Sequence, residues 1–268
     1  MAATRAPHLA ALALGGRADR LGYAFAGGYV AALNALVPAR DRARTAALCA
    51  TEAGGVHPRA IEARYVGGVV HGDKTFVTLA DAADELYVLA REGERDGRPR
   101  LALVVVDARG PGVTLRPLPP APFVPEIGHA AVRLDGAPAA RLPGDGWDDY
   151  VRPFRTVEDA HVHLALLGWL IASARRWGAL AEPALEEALA LAAGLSAIAR
   201  EDPSAPTTHL ALAGAIGASA RVLAALDEDA MPADDRARWR RDRPLLSVAS
   251  KARAARRAKA WEPLQIPT

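Results

Sequence analysis

Two Glu-x-x-His pairs, Glu126…His129 and Glu158…His161, have the spacing at which facing bundle helices ligate a di-iron centre. Only the second falls on a predicted helix. The first sits between Pro125 and Gly128, and no further inward glutamates accompany either, so they read as unrelated polar pairs. His161 and His163 are two apart and point to different faces of a helix, which does not make a zinc site. The single cysteine, Cys49, excludes an intramolecular disulfide and any Cys-rich zinc or iron–sulfur centre. No metal is expected. The other concentrated chemistry is a basic run from Arg236 to Lys259. Aromatics are sparse there, and the reading is a solvated face or an interface with an acidic partner rather than a nucleic-acid surface. No Gly-x-Gly-x-x-Gly, phosphate-binding loop or Gly-x-Ser-x-Gly elbow is present.

The elements that must position any site fall into three stretches. The 268 residues suit one or two domains, and 51% hydrophobic with 24% charged residues is the composition of a folded chain. With 33 Lys and Arg against 31 Asp and Glu, the net charge of +2 gives no mandate for nucleic acid or membrane. Aromatics are only 5%, so alanine must fill much of the core, which suits close-packed helices. Residues 1–45 read as a shortened helical segment, with glycine pairs at 15–16 and 27–28 as breaks or close-approach points. Residues 46–152 read as a middle β-domain, a sandwich or barrel of short strands. Gly67–Gly68 forms a tight hairpin there, and Arg91–Pro99 a polar loop. Residues 153–268 read as a C-terminal four-helix bundle whose first helix starts at a capping box, Thr156 with Asp159. No apolar run reaches the roughly 18–20 residues of a membrane span, and no targeting segment stands out. The expected location is the cytoplasm.

Two segments carry more information than the rest: Ala47-Leu-Cys-Ala-Thr-Glu-Ala-Gly-Gly55 and Gly72-Asp-Lys-Thr-Phe-Val-Thr78. In order and spacing they resemble the acyl-CoA dehydrogenase family. Its Thr-Glu-Pro strand end and Gly-rich turn are followed by Gly-x-Lys-x-(Trp/Phe)-Ile-Thr. The continuation is similar too, through Pro111-Gly-Val-Thr and the glycine-rich link at Gly144-Asp-Gly-Trp147. The resemblance covers about residues 46–175 and implies an α+β multidomain fold with short N-terminal helices, a middle β-domain and a helical bundle.

It also implies FAD, bound across the middle domain. Carried over, the contacts are Thr51, Glu52, Gly54, Gly55, His57, Phe76 and Thr78. Singly, the threonines are ordinary strand residues and Phe76 is core; the ordered set favours the flavin. The implied reaction is α,β-dehydrogenation of an acyl-CoA or other acyl thioester, by an oxidoreductase that forms homo- or hetero-oligomers. Many family members carry the base on a late loop. A subset places a Glu at the start of the first C-terminal helix, where Glu158 lies, and Glu158 is the expected base. A helix start also favours an acid there for electrostatic reasons alone. This chain departs from the family at Val56-His57-Pro58, where Gly-Ser-Asp is usual, and at Asp159, where the subset has Arg. The alternative is a catalytically degenerate subunit or scaffold that keeps the fold and pairs with another chain.

Overall fold

Residues 6–264 are described by a computed structural model. The described residues up to Ala35, with Pro122–Pro125 and those from Thr156 on, form a helical unit. Leu36–Ala121 and Glu126–Arg155 form a β unit.

In the helical unit, α1 (Pro7–Arg17) and α2 (Leu21–Leu36) precede α3 (Arg152–Trp177), α4 (Glu182–Ile198), α5 (Pro206–Ala224), α6 (Ala233–Asp242) and α7 (Ser250–Trp261). Prolines open α1, α4 and α5, where the missing N–H is no loss. Pro244 falls in a 3₁₀ turn, Arg243–Ser247, that divides the last helical stretch in two. Every residue of α3 from Asp159 to Leu170 is buried. Its neighbours surround it on every side over this stretch, and most of the residues they cover are apolar. Glycine makes the approach possible: a Cβ on Gly15 would lie 1.8 Å from the Ala165 carbonyl oxygen, and one on Gly28 would lie 2.6 Å from Val162 Cα. The glycine pairs are therefore close-approach points within helices, not breaks. Trp169 stacks on Trp239 at 5.8 Å and meets Trp177 edge-on at 6.0 Å, anchoring α6 to α3.

The β unit holds β1 (Ala46–Cys49), β2 (Arg64–Val66), β3 (Val69–Thr78), β4 (Glu85–Arg95), β5 (Arg98–Asp107), β6 (Val113–Pro117) and β7 (His129–Arg141). Pairing runs β4–β2–β3–β7–β5 and returns to β4, so the strands close on themselves as a barrel. β1 joins β4 in parallel and β6 joins β7. Alternate residues face inward, as in Leu86, Val88 and Ala90, or Ala130, Val132 and Leu134. Gly67 and Gly68 make the expected hairpin turn with φ of 60° and 83°.

Three local expectations are corrected. Arg91–Pro99 is not a loop: β4 and β5 pair out to Arg95↔Arg98 around Asp96-Gly97, whose φ values of 52° and 70° suit a two-residue hairpin turn. The middle domain's strands are not all short: Val69–Thr78 is one continuous strand of ten residues. The first bundle helix does not start at Thr156. A π turn, Gly146–Val151, comes first, and the Asp145 carboxylate accepts from the N–H groups of Trp147 and Asp148, both at 2.8 Å. Gly146 is required there, because a Cβ would lie 2.5 Å from the Ala102 carbonyl carbon.

Candidate functional site

The seven residues expected at a cofactor all lie in the β unit, and backbone hydrogen bonds bring their two segments side by side. The chain leaves β1 at Cys49 and folds back on itself. Glu52 and Gly55 exchange N–H···O bonds of 3.0 and 2.9 Å, with Gly55 at φ 102°. The Thr51 carbonyl accepts from the Thr75 N–H at 2.9 Å, which sets Thr51 against the middle of β3.

Beneath this contact lies a buried ion pair. Lys74 is 1% exposed and Glu52 6%. Lys74 Nζ donates to Glu52 Oε1 and to the Leu89 carbonyl, each at 2.5 Å. The Glu52 carboxylate also accepts from the N–H of Glu62 at 2.7 Å and of Ala63 at 3.2 Å. One carboxylate thus ties together the turn after β1, the approach to β2, and β3, while Lys74 extends the tie to β4. Burial lowers the Lys74 pKa from its ordinary value and Glu52 opposes that shift. Burial also pushes the neighbouring Cys49 thiol up to about 12, with Lys74 acting against it. Sequence reasoning passed over Lys74. Its signal was a charge on the inward side of an otherwise amphipathic strand.

Phe76 is the unusual residue of the site. Strict alternation from inward Lys74 would turn it into the core. Instead the β3–β7 register shifts between Lys74 and Val77, Phe76 takes φ 51°, and Val77 occupies the inward place. The ring is left 70% exposed on the outside of the strand. A non-glycine residue in the left-handed region, on a bulge, with a large apolar side chain in solvent, is a local arrangement that core packing does not explain. Thr78, half-buried, ends the same strand, and Thr51, also half-buried, meets that strand at Thr75. A Cβ at Gly55 would meet nothing within 4 Å, so the space beside the turn is open. His57 is exposed and its Nδ1 accepts from the Arg59 N–H at 3.3 Å. That leaves the ring proton on Nε2 as an outward donor.

Glu158 lies in the helical unit, half-buried on α3. Because α3 begins at Arg152, Glu158 is its seventh residue, and the first turn holds no acid. The helix-start explanation for an acid at this position is removed. Its neighbour Asp159 is buried and forms ion pairs with Arg253, at 3.3 Å, and with Arg256, both on α7. Much of the basic run is accounted for in the same way. Arg236, Arg238, Arg240, Arg241 and Arg243 pair with Asp229, Asp235, Glu228, Asp242 and Glu228 respectively. Among the described residues, no group of three or more His, Cys, Asp or Glu could hold a metal ion. No helix among them is long and apolar enough to cross a membrane.

By sequence, no family model and no curated protein matches this chain. By structure, it superposes on butyryl-CoA dehydrogenase from Megasphaera elsdenii with a TM-score of 0.69 and 14% identity, over 96% of this chain and 81% of that one. The chain has the acyl-CoA dehydrogenase-like fold. Two further structures share this acyl-CoA dehydrogenase-like fold. The prolyl acyl carrier protein oxidase AnaB matches with a TM-score of 0.66 and 15% identity, over 97% of this chain and 82% of that one. PigA with FAD and proline matches with a TM-score of 0.68 and 13% identity, over 96% and 81%.

Proposed function

We propose that this chain is a flavin-dependent oxidoreductase acting on an acyl thioester. The observation that carries the reading is Phe76, turned out of the core by its own left-handed backbone on a bulge, one residue after the Thr75 whose N–H bonds the Thr51 carbonyl. The residues fit an isoalloxazine. Phe76 offers an apolar wall, Thr51 and Thr78 offer hydroxyls for the ring's polar edge, and the Gly54–Gly55 turn leaves room for close backbone approach. His57 Nε2–H offers a donor for a phosphate, while Pro58 has none. Glu52 supports the site from below, through Lys74, rather than from its surface. Bound FAD would accept the β-hydrogen of the substrate with its electron pair.

Glu158 is the base in this reading. Its carboxylate takes the α-proton and holds it while the α,β double bond forms. The test is anaerobic addition of an acyl thioester to the FAD-loaded protein. The flavin band should bleach with the native chain and persist in Glu158→Gln, which retains the flavin. Bleaching at the native rate in Glu158→Gln rejects the base.

The reading extends to assembly through α4 and α5. Gly194, Gly214 and Gly217 sit inside helices, yet a Cβ on any of them would meet nothing within 4 Å. Each weakens its helix by roughly 1 kcal/mol relative to alanine. Elsewhere in the unit helix glycines admit a neighbouring backbone, and a second copy of this chain packed on α4 and α5 gives these three the same reason.

A further inference from the structure

The outer face of the β unit carries a row of basic side chains that nothing in the fold neutralises. β2 lies between β3 and β4, and its Arg64 stands directly opposite His71 of β3 and Arg91 of β4. Ala63 and Tyr65, on either side of Arg64, pack on the core, so Arg64 points outward, and the residues paired with it point the same way. Arg91 reaches across to the turn before β2, where its Nη2 donates to the Arg59 carbonyl at 2.8 Å. His71 Nδ1 accepts from the Gly136 N–H at 3.1 Å, which leaves the ring proton on Nε2 of this exposed residue.

Like charges directly opposite across strands are destabilising, and opposite charges are the stabilising choice. The same sheet makes that choice nearby, where Asp73 of β3 stands opposite Arg133 of β7. Arg64 instead has a base on both sides. Neither Arg64 nor Arg91 makes an ion pair among the described residues. Glu62, exposed two residues before Arg64, pairs with neither, and Asp135 lies on the Nδ1 side of His71, 3.6 Å away. The ligand that suits such a row is an anion with several oxygens, and a guanidinium fork matches phosphate in bidentate fashion. We propose that Arg64 and Arg91, with His71 Nε2–H beside them, bind the phosphate groups of a phosphate ester. His71 and Phe76 both stand on the outside of β3, five residues apart, or about 16 Å along the strand. A ligand with an apolar ring or chain at one end and phosphates at the other reaches both. On the function proposed above, on which this last step rests, FAD and a CoA thioester each carry such phosphates.

The probe is inorganic pyrophosphate, titrated into the full-length, flavin-free protein and followed by phosphorus NMR and calorimetry. One pyrophosphate per chain should bind saturably, and Arg64→Gln should weaken it at least about fivefold at an unchanged unfolding midpoint. Arg116→Gln is the control. Arg116 is also exposed and without an ion pair among the described residues, on β6, but it stands opposite Ala131. That variant should bind pyrophosphate as the native chain does. No saturable binding, undiminished binding in Arg64→Gln, or an equal loss in Arg116→Gln overturns the proposal. None of these results depends on flavin. A chain that binds pyrophosphate in this way and stays colourless with FAD refutes the flavin reading and upholds the phosphate site. Titrations with FAD and with coenzyme A distinguish the sources. The one that Arg64→Gln weakens by the same factor as pyrophosphate is held here, and a variant that keeps the native affinity for both overturns the proposal.

Discussion

Replacing Lys74 by Met tests how the β unit holds its two site segments together. Methionine keeps the length and apolar stem of the side chain and removes the ammonium. Glu52 Oε1 and the Leu89 carbonyl then each lose a donor at 2.5 Å. Breaking a buried ion pair by removing one partner costs about 3–5 kcal/mol. Glu52 keeps the N–H groups of Glu62 and Ala63, so its charge is not stripped of all partners. The expected loss is therefore at the lower end, about 3 kcal/mol. Glu52→Gln combined with Lys74→Met leaves neither charge buried and should recover at least about 1 kcal/mol of it. The assay is built into the chain. Cys49 is its only cysteine, lies buried in β1 and has a thiol pushed up to about 12, so it stays unreactive until the β unit opens. Pulse labelling of Cys49 across a urea series gives the midpoint of that unit alone. A loss under about 1 kcal/mol in Lys74→Met, or a double variant no more stable than the single one, refutes the reasoning.

Three other outcomes are expected. Burial lowers the His161 pKa from 6.5 to about 4, so the native ring is neutral and the unfolded chain binds the extra proton below 6.5. Stability from this residue is complete above pH 6.5 and declines by about 3 kcal/mol as the pH falls to about 4. Denaturation midpoints measured across that window should flatten in His161→Gln. Gly28→Ala places a methyl 2.6 Å from Val162 Cα, against backbone that cannot yield cheaply, and should destabilise the helical unit by about 1–3 kcal/mol in thermal unfolding. Asp159→Asn removes the partner of Arg253 and Arg256 and should speed amide exchange throughout α7 by at least about tenfold; unchanged exchange contradicts the ion-pair account.

The strands were legible where one face is buried, because inward Val132 and Leu134 alternate in sequence with outward Arg133 and Asp135 as they do in the barrel. The outer hairpin arms from Glu92 to Arg98 were not. From Gly93 on they run exposed into solvent with nothing to alternate against, and only Asp96-Gly97 signals the turn. The start of α3 was hidden for a different reason: Thr156 with Asp159 mimics a capping box, whereas Asp145 ahead of a π turn is the actual cap. Within the site, the Thr51–Glu52 and Lys74–Thr78 segments could be picked out by type and spacing. Their juxtaposition could not, since it depends on the long-range Glu52–Lys74 pair. Nor could the exposure of Phe76 be read, because one bulged residue reverses which way a strand's side chains point.

The central claim is that Phe76, Thr51 and Thr78 form a flavin surface. The most direct measurement is the visible absorption of the full-length protein after incubation with FAD and gel filtration, alongside Phe76→Ala. A flavin band carried at one FAD per chain by the native protein, and weakened in Phe76→Ala of unchanged thermal stability, is the predicted result. A native protein that emerges colourless, or a Phe76→Ala variant that retains FAD as tightly as the native chain, contradicts it.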